Sequence, residues 1–315
     1  MTTQSEPISD ALLQEMQQWI AQSYTGQKPS VSNASGAFQA ITVREDGQLQ
    51  AFCMCYENAS LPEYLMLGNY QCTSSGEAAA ALFQEADKTA GQRGKKHLLG
   101  PMNGSTWHAH RFTENLKTPY FLEFVHLPYY PQQWIDAGFQ IEERYVSQEV
   151  ALQESLIPPV DESAFFQQKG ITFHPFSADA LAPVHAFCNE VFAQNNLFSA
   201  ISQEAFIALY QPVLPILDPE LIDLAFDGDQ LVGLFFAVPD VYQPGRVIVK
   251  TVARHPADKY KGMAQMLSAR FVKKALQKGF NTMIHAYMHI ENRSNKVSTN
   301  FGGGDNTRHH VLFKR

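Results

Sequence analysis

Between Val247 and Gly279 the chain passes from an apolar run through a basic turn into a helical repeat, and this order constrains the fold more than any other stretch. Val247-Ile248-Val249 with Thr251-Val252 reads as a buried strand. The turn is His255-Pro256-Ala257-Asp258-Lys259-Tyr260-Lys261. From Gly262 onward Met263, Met266, Leu267, Phe271, Ala275 and Leu276 recur on one helical face, and Gly279 is a stop signal. Asn281 to Met288 predicts a second strand, and Glu291-Asn292-Arg293-Ser294 the opening of a further helix. Strand, helix, strand implies a parallel pair joined by a right-handed crossover. A helix N-terminus offers unpaired N–H groups and partial positive charge, so the turn before it suits a phosphate or pyrophosphate. Gly262 is expected to be glycine so that no Cβ blocks that approach.

Lys259-Tyr260-Lys261-Gly262-Met263-Ala264 resembles the pyrophosphate-binding motif of the GNAT superfamily of acyl-CoA transferases: Arg or Gln, two residues, Gly, one residue, then Gly or Ala. Lys259 departs from the first position, and Pro256 stands where the family often has proline. The resemblance covers residues 171–315 and implies acetyl-CoA or another acyl-CoA as co-substrate. It implies that the backbone of residues 259–264 holds the pyrophosphate and that the two strands splay around the pantetheine arm. The oxyanion donor falls on the backbone of Val252, Ala253 and Arg254. Asn292 matches the family's asparagine that contacts the CoA arm, Ser294 lies beside it, and Phe301-Gly302-Gly303 stands near the later Gly-Phe. Thr299 occupies the place where many members carry a tyrosine as acid for the leaving thiolate, so that donor is unassigned. His309 to Phe313 would be the last strand.

A second copy is legible upstream. Leu65 to Tyr70 reads as a strand, Thr73-Ser74-Ser75 as a turn, and Gly76-Glu77-Ala78 as a helix start repeating the Gly-x-Ala of Gly262-Met263-Ala264. That helix runs to Gly94, and Lys96-His97-Leu98-Leu99 gives the next strand. Such a repeat at domain spacing is a duplication. The fold class expected is therefore α/β (α+β), two tandem GNAT-like domains, each a mixed, mostly antiparallel twisted sheet flanked by helices around a parallel βαβ unit. The domains are drawn at 1–155 and 164–315, with a linker over 153–163 carrying paired prolines. The first copy has no charge in its turn and carries an insertion from about Asn103 to His126, with the run His108-Ala109-His110-Arg111. It is expected not to bind CoA, and instead to wall the acceptor cleft or complete a shared sheet.

The 315 residues suit two domains. A net charge of −7 argues against nucleic acid as a main partner. No run approaches a membrane span and no signal-peptide blocks stand at Met1 to Asp10, so the expected location is the cytoplasm. Cys53, Cys55, Cys72 and Cys188 lack metal-ligand spacing, His108 and His110 are too few for a site, and no metal is expected. Against the acidic background, Lys250, Arg254, Lys259 and Lys261 cluster, as an anionic nucleotide requires.

Acyl transfer to an amine needs a base, an oxyanion donor and close placement of both reactants. His255 is of the residue type suited to proton transfer near neutrality. Tyr287, His285, His289 and Glu291 cluster at the end of the next strand and are comparable candidates; alternation puts His285, Tyr287 and His289 on one face. The expected activity is N-acylation of a small-molecule or peptide amine by direct transfer in a ternary complex. A non-catalytic CoA-binding or interaction protein and a Fem-type tandem-GNAT aminoacyl transferase are the competing readings. The acceptor and the oligomeric state are not legible in the sequence.

Overall fold

The computed structural model describes residues 1–29, 31, 36–157, 159–291 and 306–315. Two compact units emerge: Met1–Tyr145 with Leu197–Ser199 and Arg308–Arg315, and Val146–Asn196 with Ala200–Thr307. Their edges differ from a split at 1–155 and 164–315. The strand expected at the C-terminus forms, but its residues complete the sheet of the first unit.

The first unit contains β1 (Thr2–Glu6), α1 (Asp10–Ser23), β2 (Ala37–Glu45), β3 (Gln48–Tyr56), β4 (Tyr64–Cys72), α2 (Gly76–Gln92), β5 (His97–Gly100), β6 (Phe112–Thr113), α3 (Tyr130–Asp136) and residues 140–145 of β7 (Gln140–Ala151). The β2–β3 hairpin turns at Asp46 and Gly47, both at positive φ (49° and 80°), the conformation a tight hairpin of matching twist requires. Strands run antiparallel from β1 to β4, and then β4 and β5 pair in parallel across α2. Beyond β5 lies β13 (Thr307–Lys314), antiparallel, which also pairs with β6. Tyr70, Phe83, Phe112, Trp134 and Phe313 form one aromatic core, with Phe83 and Trp134 5.1 Å apart edge to face. Burying each such ring contributes roughly 1.5–3 kcal/mol.

The second unit holds residues 146–151 of β7, then α4 (Glu162–Gln168), β8 (Ile171–His174), α5 (Leu181–Phe192), α6 (Gln203–Tyr210), β9 (Ile222–Asp227), β10 (Gln230–Pro239), β11 (Arg246–Arg254), α7 (Met263–Gln277) and β12 (Thr282–His289). Strands β8 to β11 are antiparallel, and β11 pairs with β12 in parallel. The stripe expected on α7 is its buried face: Met263, Met266, Leu267, Phe271 and Ala275 pack on the sheet, and Phe271 stacks on Phe235 at 4.3 Å. The expected linker is in good part structured. Leu156 is buried in a short 3₁₀ turn, and the Asp161 carboxylate caps α4 by accepting from the Ala164 N–H at 2.9 Å. Prolines and a short helix hide this order from periodicity. No helix among the described residues is long and apolar enough to cross a membrane.

Candidate functional site

Strands β11 and β12 share four ladder pairs, ending at Val249–His285. Both run on, β11 to Arg254 and β12 to His289, without pairing to each other. The cause is local. Against β10, Ala237 faces Val249 but Phe236 faces Thr251, so Lys250 is an extra residue in β11, and a bulge of this kind bends a strand. On the other side Tyr287 takes a left-handed φ of 56° and its N–H donates to the Ser147 hydroxyl at 3.0 Å. This kink also breaks the alternation that would put His285, Tyr287 and His289 on one face. His285 stands on the last shared rung, and burial pushes its imidazole down to about 4, which keeps it neutral.

Arg254 leads into an eight-residue turn, 255–262, that delivers the chain to α7. Gly262 is the N-cap, with φ 87°, and no side chain among the described residues caps the helix. The sequence reading assigned glycine here to clear space for an anion. A Cβ would instead meet the Phe165 ring of α4 at 3.6 Å, an ordinary contact, so it is the left-handed backbone that demands glycine. Tyr260 is buried and its hydroxyl donates to Asp227 Oδ2 at 2.7 Å; Lys259 Nζ meets the same oxygen at 2.8 Å. Those two hydrogen bonds hold the Asp227 carboxyl below its usual range. Lys261 pairs with Asp258 at 3.1 Å, and Arg254 Nη1 donates to the carbonyls of His255 and Ala257.

His255 serves the turn. Its Nδ1 accepts from the Ala257 N–H at 3.2 Å, which leaves the proton on Nε2, facing Glu190 Oε1 at 3.1 Å. Glu291, just past β12, is exposed, and its amide donates to His289 Nδ1 at 3.2 Å. Val252, Ala253 and Arg254 are the last residues of β11, beyond the shared rungs. Met263 is buried under the sheet and Ala264 is the second residue of α7. Asn292, Ser294, Thr299 and Phe301 lie outside the described residues. Among the described residues no group of His, Cys, Asp and Glu is arranged to hold a metal.

The first unit has the same frame with a different filling. Strands β4 and β5 share three parallel pairs, ending at Met66–Leu99, and β4 bulges next, with Asn69 at φ 48°. Here the edge is occupied by the chain itself. The Met102 N–H donates to the Leu67 carbonyl at 2.9 Å, and Asn103 Oδ1 accepts from the Asn69 N–H at 2.9 Å. A Cβ on Gly68 would lie 2.3 Å from Asn103 Oδ1 and 2.7 Å from the Met102 carbonyl, so the plug fits only against glycine. The turn is three residues, 73–75, and the Ser75 hydroxyl caps α2 by accepting from the Ala78 N–H at 3.2 Å. Gly76 is therefore the first helical residue while Gly262 is a cap, and the repeated Gly-x-Ala is out of phase by one position.

No protein-family model and no curated protein sequence matches the chain. Solved structures do match. A GCN5-related N-acetyltransferase from Sphaerobacter thermophilus aligns over 99% of this chain and 95% of its own, at 13% identity and a TM-score of 0.55. A tandem GNAT protein from the clavulanic acid biosynthesis pathway aligns over 100% and 98%, at 11% identity and a TM-score of 0.58. The fold is GNAT, in tandem. A GCN5-related N-acetyltransferase from Anabaena variabilis gives a TM-score of 0.59 over 100% of this chain and 72% of its own, at 10% identity. Identities this low speak for the GNAT fold alone, and the chemistry rests on the residues of the site.

The sequence reading missed Asp227, Glu190, Phe165 and Lys169. Asp227 ends β9, and the other three come from α4, its C-cap and α5, whose packing no local pattern announces.

Proposed function

We propose that this chain is an acyl-CoA-dependent N-acyltransferase, carrying an acyl group, acetyl in the first instance, from CoA to a small-molecule or peptide amine within a ternary complex. The observation that carries the reading is the parting of two parallel strands beside a helix start in one unit: among the described residues, β11 and β12 part after Val249–His285, and Gly262 opens α7 without a side-chain cap. That combination suits a ligand with a diphosphate and an extended amide-bearing tether, since amides at a helix start take anions and a free strand edge takes peptide-like groups. The N-acetyltransferase names of the structural neighbours agree with it.

In this reading the amides from Lys259 to Ala264 hold the pyrophosphate, with Tyr260 fixing the turn through Asp227. The tether lies along Val252 to Arg254, one of whose N–H groups faces the thioester oxygen as negative charge develops there. CoA itself supplies the activated acyl group. The family resemblance adds Asn292 and Ser294, which lie outside the described residues, as contacts of the CoA arm. Of the candidate bases, His255 has both ring nitrogens engaged, Nδ1 by the Ala257 N–H of the turn and Nε2 by Glu190 of α5, so we assign proton removal to Glu291 and a positioning contact to Tyr287. Assay of thiol release from acetyl-CoA over a panel of amines tests the reading. Amine-dependent thiol release, with kcat lowered at least 100-fold in Glu291→Gln and the KM for acetyl-CoA unchanged, is expected. CoA binding without thiol release for any amine would leave the non-catalytic reading standing in its place.

A further inference from the structure

The turn ahead of α7 contains two lysines named from the sequence, and both are offset where they stand. Lys259 is held by Asp227 at 2.8 Å and Lys261 by Asp258 at 3.1 Å. Glu190 adds a third carboxylate nearby, against His255. A diphosphate brought to this turn meets little net positive charge from the motif itself. The structure places another cation there. Lys169, which ends α4, donates from Nζ to the carbonyl of Lys259 at 2.6 Å. Its partner is neutral, so its charge is not offset by that contact, unlike the charges of Lys259 and Lys261.

Helix α4 is held in a fixed position to present it. The Glu162 carboxylate, itself buried, takes Lys273 of α7 at 2.7 and 2.8 Å, Phe166 enters the core, and Asp161 caps the first turn. Phe165 and Lys169 are four residues apart and therefore share a helix face. That face meets the turn: the Phe165 ring lies 3.6 Å from the point where a Gly262 Cβ would be, and the Lys169 ammonium lies 5.0 Å from the same ring.

Resting on the CoA reading above, we propose that Lys169 is a pyrophosphate-binding residue of this site, supplied by α4 from outside the motif, and that it exchanges the Lys259 carbonyl for a phosphate oxygen when CoA binds. A hydrogen bond from an ammonium to a phosphate is of the strong, charge-assisted kind, so its loss reads as about a tenfold weaker affinity.

The test is calorimetric titration of CoA, 3′-dephospho-CoA and pantetheine into the wild type, Lys169→Gln and Lys169→Arg, at low and high salt. Lys169→Gln is expected to weaken CoA and 3′-dephospho-CoA alike by about tenfold and to flatten the salt dependence, while pantetheine is unaffected. Lys169→Arg, which keeps the charge and a donor, should stay within about threefold of the wild type. Normal wild-type binding with Lys169→Gln within twofold of it, or a loss confined to CoA and absent for 3′-dephospho-CoA, overturns the assignment while leaving the CoA reading intact. No CoA heat from the wild type overturns both. An unchanged melting temperature in Lys169→Gln separates lost contact from lost folding.

Discussion

The same strand-helix-strand frame occurs in both units, and among the described residues only the first is seen to fill it with its own chain. In each, the parallel pair is short, three rungs for β4–β5 and four for β11–β12, and in each a bulge follows the last rung. What fills the frame then differs. In the first unit Met102 and Asn103 bond to the edge of β4, and Ser75 caps α2. In the second, among the described residues, β11 and β12 share no rung beyond Val249–His285 and no side chain caps α7 at Gly262. Ligand competence in such a frame is thus decided by a handful of residues that either satisfy its free amides or leave them for an anion, and the sheet order is silent on the matter.

The largest effect that sharpens this contrast is on affinity. Gly262→Arg combines a left-handed backbone with a bulky side chain at the proposed phosphate turn and is expected to weaken acetyl-CoA at least 100-fold by titration. Gly76→Arg, where nothing lies within 4 Å of the new Cβ, should leave affinity within twofold. Equal losses would break the comparison.

Next comes acid stability. In the first unit burial pushes His126 down to about 4 and His110 and His310 well below the usual range, while in the second unit His285 is the described histidine so affected, also to about 4. A folded-state value below the unfolded one means that the unfolded chain binds the extra proton. The stabilisation is complete above about pH 6.5 and is lost as pH falls toward the folded value, at about 1.4 kcal/mol per pH unit for each histidine. Hydrogen exchange from pH 7 to pH 5 should show α2 and β4 losing protection well before α7 and β11. Simultaneous loss would contradict the assignment of these histidines.

Two smaller effects follow. Gly68→Ala drives a methyl into the Met102 carbonyl and the Asn103 side chain and should destabilise the first unit by about 1–3 kcal/mol in denaturant melts, whereas Gly76→Ala, in an open helical position, should be neutral or slightly stabilising. Ser75→Ala removes the α2 cap and should cost about 1 kcal/mol. A neutral Gly68→Ala would show that the plug is loosely held.

Much of this was legible in the sequence because it is local. The apolar stripe of α7, the strands before and after it and the strand, turn and helix from Leu65 onward follow from turn chemistry and periodicity, and so did the duplication of the frame. The remainder depends on contacts distant in sequence. Nothing near His309 signals that the last strand joins β5, more than two hundred residues earlier. The plug at Met102 and Asn103 sits in an irregular segment without a period to read. Lys169 became part of the site only because a buried Glu162 seats α4 on α7. The phase error at Gly76 has a simple cause: the motif was matched by residue type, whereas the Ser75 hydroxyl moves the helix start by one residue.

The most direct test of an open second frame and a closed first one is a crystal structure of the chain with acetyl-CoA. The account predicts one ligand per chain, its pyrophosphate within hydrogen-bond distance of the amides from Gly262 to Ala264 and its thioester arm between β11 and β12. A ligand seated at Ser75 and Gly76, or Met102 and Asn103 displaced from β4 to admit one, would contradict it.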